Sequence, residues 1–242
     1  MQIKTTKLGY IAWCEVAAKD LHPQDFAVDE WQAKNAVVGQ SKGRYTTWFV
    51  QIDDRHMPQT WVLRHYWRGG LMEKFSRDAY LYTGLKHTRA IAELAILDTL
   101  YQEAFPVPRP IAANVERFGL WYRADIIIEH VAGAKDLVAH LSHSPMTDQQ
   151  WYNLGKTIAQ FHLRGVYHAD LNAKNILLAY DKFYLIDFDR GELRSPKPQW
   201  QRANLNRLLR SFNKEQGKLP SLAFSQQCWQ QLLDGYRSLH PI

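Results

Sequence analysis

From Thr46 to Ile52 apolar and polar residues alternate with the two-residue period of a half-buried strand, and Thr60–Tyr66 reads as a further strand. The stretch before them, Ala36-Val-Val-Gly39-Gln-Ser41-Lys42-Gly43-Arg44, predicts a strand and a turn holding both glycines, so that the three segments form a hairpin and a third strand. Between Thr88 and Leu100 the period changes, because Ile91, Leu94, Ala95 and Leu97 recur at helical spacing. Phe105-Pro-Val-Pro108-Arg-Pro110 stops that helix and forces an extended passage. A second hairpin follows, Ile111–Val115 with Trp121–His130. Beyond Gly133 the pattern is mainly helical: a short helix at 135–141, then a longer one from Thr147 that carries Trp151, Leu154, Ile158 and Phe161 inward. Gly165 ends it. Ile176–Leu178 and Phe183–Ile186 read as two short buried strands, and 201–214 and 225–238 as closing helices. Residues 1–35 are mixed, with short alternations such as Tyr10-Ile-Ala-Trp13, and read as an N-terminal extension packed on the first region.

Two of the connections carry chemistry. His168-Ala-Asp170-Leu-Asn172-Ala-Lys174-Asn175 has the spacing H-x-D-x-x-x-x-N, and the strand ending Leu185-Ile-Asp187-Phe188-Asp189 delivers an acidic cluster. Phosphoryl transfer needs a carboxylate beside the attacking hydroxyl, and an amide oxygen and a second carboxylate on Mg²⁺. Asp170, Asn175 and Asp187 are those residue types in the order kinase-like enzymes use. The remaining parts of such a site have candidates in chain order. Backbone amides around Gly39, Ser41 and Gly43 can cover phosphates. The third strand is where a kinase keeps its phosphate-binding cation, and Arg64, His65 and Lys74 are the candidates, with Glu93 on the helix as the acid that pairs with it. An apolar strand ending Glu129-His-Val131-Ala-Gly133 fits a hinge whose extended backbone hydrogen-bonds an adenine edge. That places an N-terminal region at 1–130 and a C-terminal one at 131–242.

Charge narrows the partners. A net charge of +6 points to an anionic partner such as a nucleotide, phospholipid surface or acidic sugar. The arginines are spread and no recognition motif accompanies them, so a nucleic acid is not expected. Cys14 and Cys228 are far apart and form neither a disulfide framework nor a metal spacing, as in a reducing compartment. No signal-peptide core and no apolar run of spanning length is seen, which leads us to expect a cytoplasmic protein. A basic, aromatic loop from Trp67 to Arg77 suits an anionic sugar or lipid headgroups.

These residues resemble the protein-kinase-like superfamily from about Val37 to Leu209. Closer still, Val62-Leu-Arg-His-Tyr-x-Arg-Gly-Gly, Pro106-Val-Pro-Arg-Pro110, His168-x-Asp-Leu-Asn-x-x-Asn, Asp187-Phe-Asp-Arg-Gly and Asn204-Leu-x-Arg-Leu-x-Arg-Ser211 are similar to strings of the 3-deoxy-D-manno-octulosonic acid (Kdo) kinases. The resemblance implies an α+β, bilobal protein-kinase-like fold, with a small antiparallel-sheet N-lobe and a mainly helical, truncated C-lobe. It implies ATP and Mg²⁺, and phosphorylation of the Kdo sugar of Kdo-lipid IVA at its 4-hydroxyl, in lipopolysaccharide inner-core synthesis. The protein would then lie peripherally on the cytoplasmic face of the bacterial inner membrane. Asp170 would orient the sugar hydroxyl, Asn175 and Asp187 would hold Mg²⁺, Arg64 braced by Glu93 would replace the usual Lys on the phosphates, and Lys174 would steady the γ-phosphate.

Three departures from protein kinases stand out: His-Ala-Asp lacks the Arg that reads an activation-loop phosphate, Asp-Phe-Asp replaces Asp-Phe-Gly, and Arg64 is a planar fork rather than a point charge. The short stretch after Asp189 leaves little room to dock a protein substrate, so a small or lipid-linked acceptor is expected. Rival readings are another small-molecule kinase of the heptose, choline or aminoglycoside type, and a non-catalytic pseudokinase.

Overall fold

The computed structural model describes residues 1–42, 46–52, 59–68 and 78–240. The chain divides into two compact units, one formed by 1–103 with 108–130 and the other by 104–107 with 131–242.

The first unit contains, in chain order, β1 (Gln2–Thr5), β2 (Gly9–Trp13), α1 (Val28–Ala33), β3 (Val37–Lys42), β4 (Thr46–Ile52), β5 (Gln59–His65), β6 (Tyr80–Leu81), α2 (Arg89–Gln102), β7 (Pro110–Phe118) and β8 (Trp121–Glu129). Among the described residues these strands make one antiparallel sheet in the order β1-β2-β7-β8-β5-β4-β3, with β6 added beside β8. Strand parity sorts the β5 side chains. Trp61 and Leu63 join Ile11, Val50 and Ile127 on a face covered by Ala18, Leu21, Phe26 and Trp31, the Trp31 and Trp61 rings meeting edge-on at 6.4 Å. Arg64 and Tyr66, of the other parity, reach Glu93 of α2. That helix buries Ile91, Leu94 and Leu97.

Two expectations change here. The first 35 residues are not an appendage: β2 pairs with β7 residue for residue from Gly9 to Trp13, and Ile11 and Ala12 are fully buried. The segment supplies sheet and core because its alternation, though short, is real. Gly39 and Ser41 also leave the expected turn and lie within β3, opposite Phe49 and Thr47 of β4. A Cβ on Gly39 would sit 3.0 Å from the Phe49 ring, so packing against that ring explains the glycine. Gly43 and Lys74 fall outside the described residues.

The second unit contains β9 (Lys135–Asp136), α3 (Leu137–Leu141), α4 (Asp148–Leu163), β10 (Val166–Tyr167), β11 (Ile176–Ala179), β12 (Lys182–Leu185), β13 (Glu192–Leu193), α5 (Pro198–Lys218) and α6 (Gln226–Leu239). Thr147 and Gln150 form the capping box of α4. Helices α4 and α6 cross at paired glycines. A Cβ on Gly155 would lie 1.9 Å from the Leu232 carbonyl oxygen, and one on Gly235 would lie 1.9 Å from that of Tyr152, so neither position admits a side chain. Around the crossing Trp151 meets Phe212 edge-on at 5.5 Å, and Phe212 stacks on Phe224 at 4.6 Å. Helix α5 begins at Pro198, earlier than its apolar pattern suggests, because proline is well suited to a first helical turn.

Candidate active site

In the second unit, the connection from β10 to β11 is held by its own side chains. His168 is buried, and its Nε2 lies 2.9 Å from the Ile186 carbonyl oxygen while its Nδ1 accepts the Asp170 N–H at 3.2 Å. Those partners require the neutral tautomer protonated at Nε2, and burial holds its pKa below the usual histidine range. The ring also lies 4.9 Å from that of Phe188, which is fully buried. Asn172 caps the turn at 173–175: its Oδ1 accepts from the Lys174 and Asn175 N–H groups at 2.9 and 3.2 Å. Its Nδ2 donates to the Asp170 carbonyl and carboxylate at 3.0 and 3.1 Å. Asn175 donates to the same carbonyl at 3.0 Å, a bond that uses its nitrogen and leaves its side-chain oxygen available to a cation.

Asp187 is tied to this loop through its neighbour. The Ile186 N–H donates to the Asn175 carbonyl at 3.0 Å, while its carbonyl takes the His168 bond. Asp187 itself has φ +63°, a left-handed conformation that costs a non-glycine residue about 1–3 kcal/mol and persists where surrounding structure enforces it. The donor set of one amide oxygen and one carboxylate fits Mg²⁺, which takes few protein oxygens and completes its shell with phosphates and water.

Helix α5 lies along the loop and touches it repeatedly. Gln201 donates to the His162 carbonyl, and Asn204 to the His168 carbonyl, each at 3.1 Å. One turn on, Arg207 NH1 reaches Asp170 Oδ1 at 2.9 Å. Ser211 Oγ then accepts the Ala173 N–H at 3.1 Å, and Glu215 lies 3.5 Å from Lys174 Nζ. Asp170, Lys174 and Asn175 are thus brought together with two residues that motif spacing did not assign, Asn172 and Arg207. The run Asn204-Leu-x-Arg-Leu-x-Arg-Ser211 carried the signal for the second, since positions three and four apart share a helix face.

In the first unit, Arg64 NH2 lies 2.6 and 2.5 Å from the two Glu93 oxygens, and the Tyr66 hydroxyl donates to Glu93 Oε2 at 2.5 Å. Glu93 is 1% exposed and Arg64 is 23% exposed, so the acid is interior while the cation retains an open side. His65 points to the opposite face. Its Nδ1 is 2.6 Å from Asp125 and its Nε2 is 3.4 Å from Asp78. Burial disfavours its charge, but Asp125 and Asp78 together outweigh burial and raise its pKa. That geometry occupies His65 with carboxylates, and of the two expected cations among the described residues it is Arg64 that pairs with Glu93. Glu129 lies 3.4 Å from Arg109, and its N–H donates to the Arg109 carbonyl at 2.9 Å. Val131 follows the sheet, its carbonyl accepting from Ala134 at 3.2 Å.

Residues 28–236 match the model of the lipopolysaccharide kinase (Kdo/WaaP) family. The chain belongs to that family. It is 44% identical over 214 residues to a 3-deoxy-D-manno-octulosonic acid kinase of Mannheimia succiniciproducens, covering 86% of this chain and 88% of the relative. It is 41% identical over 234 residues to the protein of that name in Photobacterium damsela subsp. piscicida, covering 96% and 95%. A solved structure, WaaP in complex with acyl carrier protein, aligns with TM-score 0.51 at 14% identity over 94% of this chain and 88% of that one. That likeness extends to the mixed helix-and-sheet, kinase-like fold. A lipopolysaccharide kinase is a phosphotransferase with ATP as its co-substrate, and the groups around Asp170 have the chemistry for that reaction.

Proposed function

We propose that the protein transfers the γ-phosphoryl group of ATP to the 4-hydroxyl of the Kdo sugar of Kdo-lipid IVA. The observation that carries this reading is the Asp170 carboxylate, presented at the surface between Arg207 and Asn172 on a loop fixed by buried His168. Asp170 accepts a hydrogen bond from the sugar hydroxyl and aims its oxygen at phosphorus; late proton removal suits a loose, largely dissociative transition state. Lys174 balances charge on the transferred group. Asn175 and Asp187 hold Mg²⁺, which neutralises phosphate charge when bound. Arg64, kept in place by Glu93 and Tyr66, binds the ATP phosphates, with the backbone around Gly39 and Ser41 covering them. The Glu129–Val131 backbone takes the adenine edge. Support for a Kdo acceptor comes from the relatives' names and from the cationic side of α5.

The test is transfer from γ-labelled ATP to Kdo-lipid IVA. Labelled lipid is expected with the native protein, and Asp170→Ala should lower the rate by about 10²–10⁴-fold at unchanged ATP affinity. ATP turnover on a heptose-containing acceptor alone would move the assignment to another core sugar, and absence of any transfer would favour a pseudokinase.

We also infer that the protein works at a membrane surface. No helix among the described residues is long and apolar enough to cross one. Instead, two neighbouring turns and β6 present exposed Leu8, Leu81, Phe118, Leu120 and Trp121, joined by the Arg117-to-Leu8 and Tyr82-to-Leu120 backbone bonds at 2.7 and 2.9 Å. Arg117 stacks on Tyr82 at 4.0 Å and Arg123 on Phe118 at 4.8 Å, an apolar and cationic surface suited to anionic headgroups. Sedimentation with anionic vesicles at low salt, weakened by Leu120→Glu, is the expected result. Sedimentation unchanged by that substitution would remove this surface from the reading.

A further inference from the structure

We propose that Arg207 recognises the carboxylate of the acceptor, and so selects an acidic sugar for the hydroxyl held at Asp170. This rests on the reading of the acceptor as Kdo, whose name in the relatives denotes an acid. Arg207 NH1 donates to Asp170 Oδ1 at 2.9 Å, and no other partner of its guanidinium is found among the described residues. The side chain is 46% exposed and that of Asp170 is 57% exposed. An ion pair so open to water contributes little to folding, so stability does not account for it.

The neighbouring contacts of α5 do serve folding, since Gln201 and Asn204 are buried and donate to the His162 carbonyl of α4 and to the His168 carbonyl. Arg207 differs from them in being exposed, with Asp170 as the one side chain it contacts among the described residues. A planar guanidinium with one N–H on Asp170 keeps further donors for a carboxylate on whatever molecule presents its hydroxyl to Asp170. Asp170 retains lone pairs for that hydroxyl, because its Oδ2 carries one bond from Asn172. Arg210 and Lys214 fall near Arg207 on the helical wheel and extend the positive side of α5, which attracts an anionic glycolipid. Once an acceptor displaces water from the site, the charge-assisted bond strengthens.

The discriminating experiment pairs two proteins with two acceptors: native and Arg207→Ala, each assayed on Kdo-lipid IVA and on the same lipid with the Kdo carboxylate reduced to an alcohol. The native enzyme is expected to prefer the acid by about 10- to 100-fold in kcat/KM, the range of a bond to a charged group. Arg207→Ala should lose that factor on the acid, mostly through the acceptor KM, leave the ATP KM unchanged, and treat both acceptors alike. Arg207→Lys should recover part of the preference, since it restores charge without the fork. If Arg207→Ala slows both acceptors equally, or the native enzyme does not discriminate, Arg207 serves only to orient Asp170 and the proposal is wrong. Transfer to neither acceptor by the native enzyme would instead overturn the Kdo reading itself.

Discussion

The two units hold their functional groups by opposite means. In the first, basic side chains are paired with carboxylates: Arg64 with Glu93, and His65 between Asp125 and Asp78. In the second, the buried groups behind the loop are neutral: His168 and His162 are pushed below the usual histidine pKa by burial, and Gln201 and Asn204 bond to backbone carbonyls. The difference follows from the task of each. An arginine is permanently charged, so what the buried Glu93 carboxylate gives Arg64 is a fixed direction. A loop meant to place a carboxylate and an amide within fractions of an ångström is better held by directional neutral bonds, which impose geometry without adding a competing field. Charge in the second unit is therefore concentrated at the surface, on Asp170, Lys174 and Arg207.

The largest effect should come from breaking the buried pair. Glu93→Ala removes the acid that both Arg64 and Tyr66 contact, and leaves a partly buried guanidinium facing a cavity. Loss of one partner of a buried pair costs about 3–5 kcal/mol, and the 23% exposure of Arg64 places this case near the lower figure. The urea midpoint should fall accordingly, and ATP affinity with it, because Arg64 no longer has a fixed direction. A variant that keeps both stability and ATP affinity would show that the pair is incidental to the phosphate site.

Much of this division was legible in the chain. The strands expected at 46–52 and 60–66, the helix before the proline run and the capping box at Thr147 each lie where local preference and tertiary packing agree. The catalytic loop was legible because phosphoryl transfer demands few residue types in a fixed order. What escaped was set by long-range pairing. The membership of β1 and β2 in the sheet depends on β7, more than a hundred residues away for some pairs, and the short alternation at Tyr10–Trp13 does not reveal that partner. Gly39 was expected in the turn because Gly and Ser mark turns, whereas it lies within β3, where a Cβ would sit 3.0 Å from the Phe49 ring. The assignment of Arg64 over His65 also needed the sheet: adjacent residues of a strand point to opposite faces, and only one of those faces carries Glu93.

A smaller effect, and a sharper separation of the units, should come from pH. A histidine takes up a proton in the unfolded chain near pH 6.5. His162, its Nδ1 2.8 Å from the Tyr236 hydroxyl, has its folded pKa lowered to about 3 by burial. Below pH 6.5 the unfolded state therefore binds the proton more readily, so the stability is full above that value and is lost as pH falls toward 3. The loss is up to about 1.4 kcal/mol per pH unit. His168 acts in the same direction. His65 has the opposite sign, since its folded pKa is raised: its contribution is full below pH 6.5 and fades as pH rises through the folded value. Hydrogen exchange resolved by segment, corrected for intrinsic rates, should show residues 131–240 losing protection between pH 7.5 and 5.5. Any change that His65 brings to the first unit over that range should run the other way. His162→Gln should blunt the first trend and His65→Asn the second. Equal loss of protection in both units, unaffected by either substitution, would mean that carboxylate protonation governs the acid response and that the contrast between charged and neutral anchoring has no thermodynamic weight.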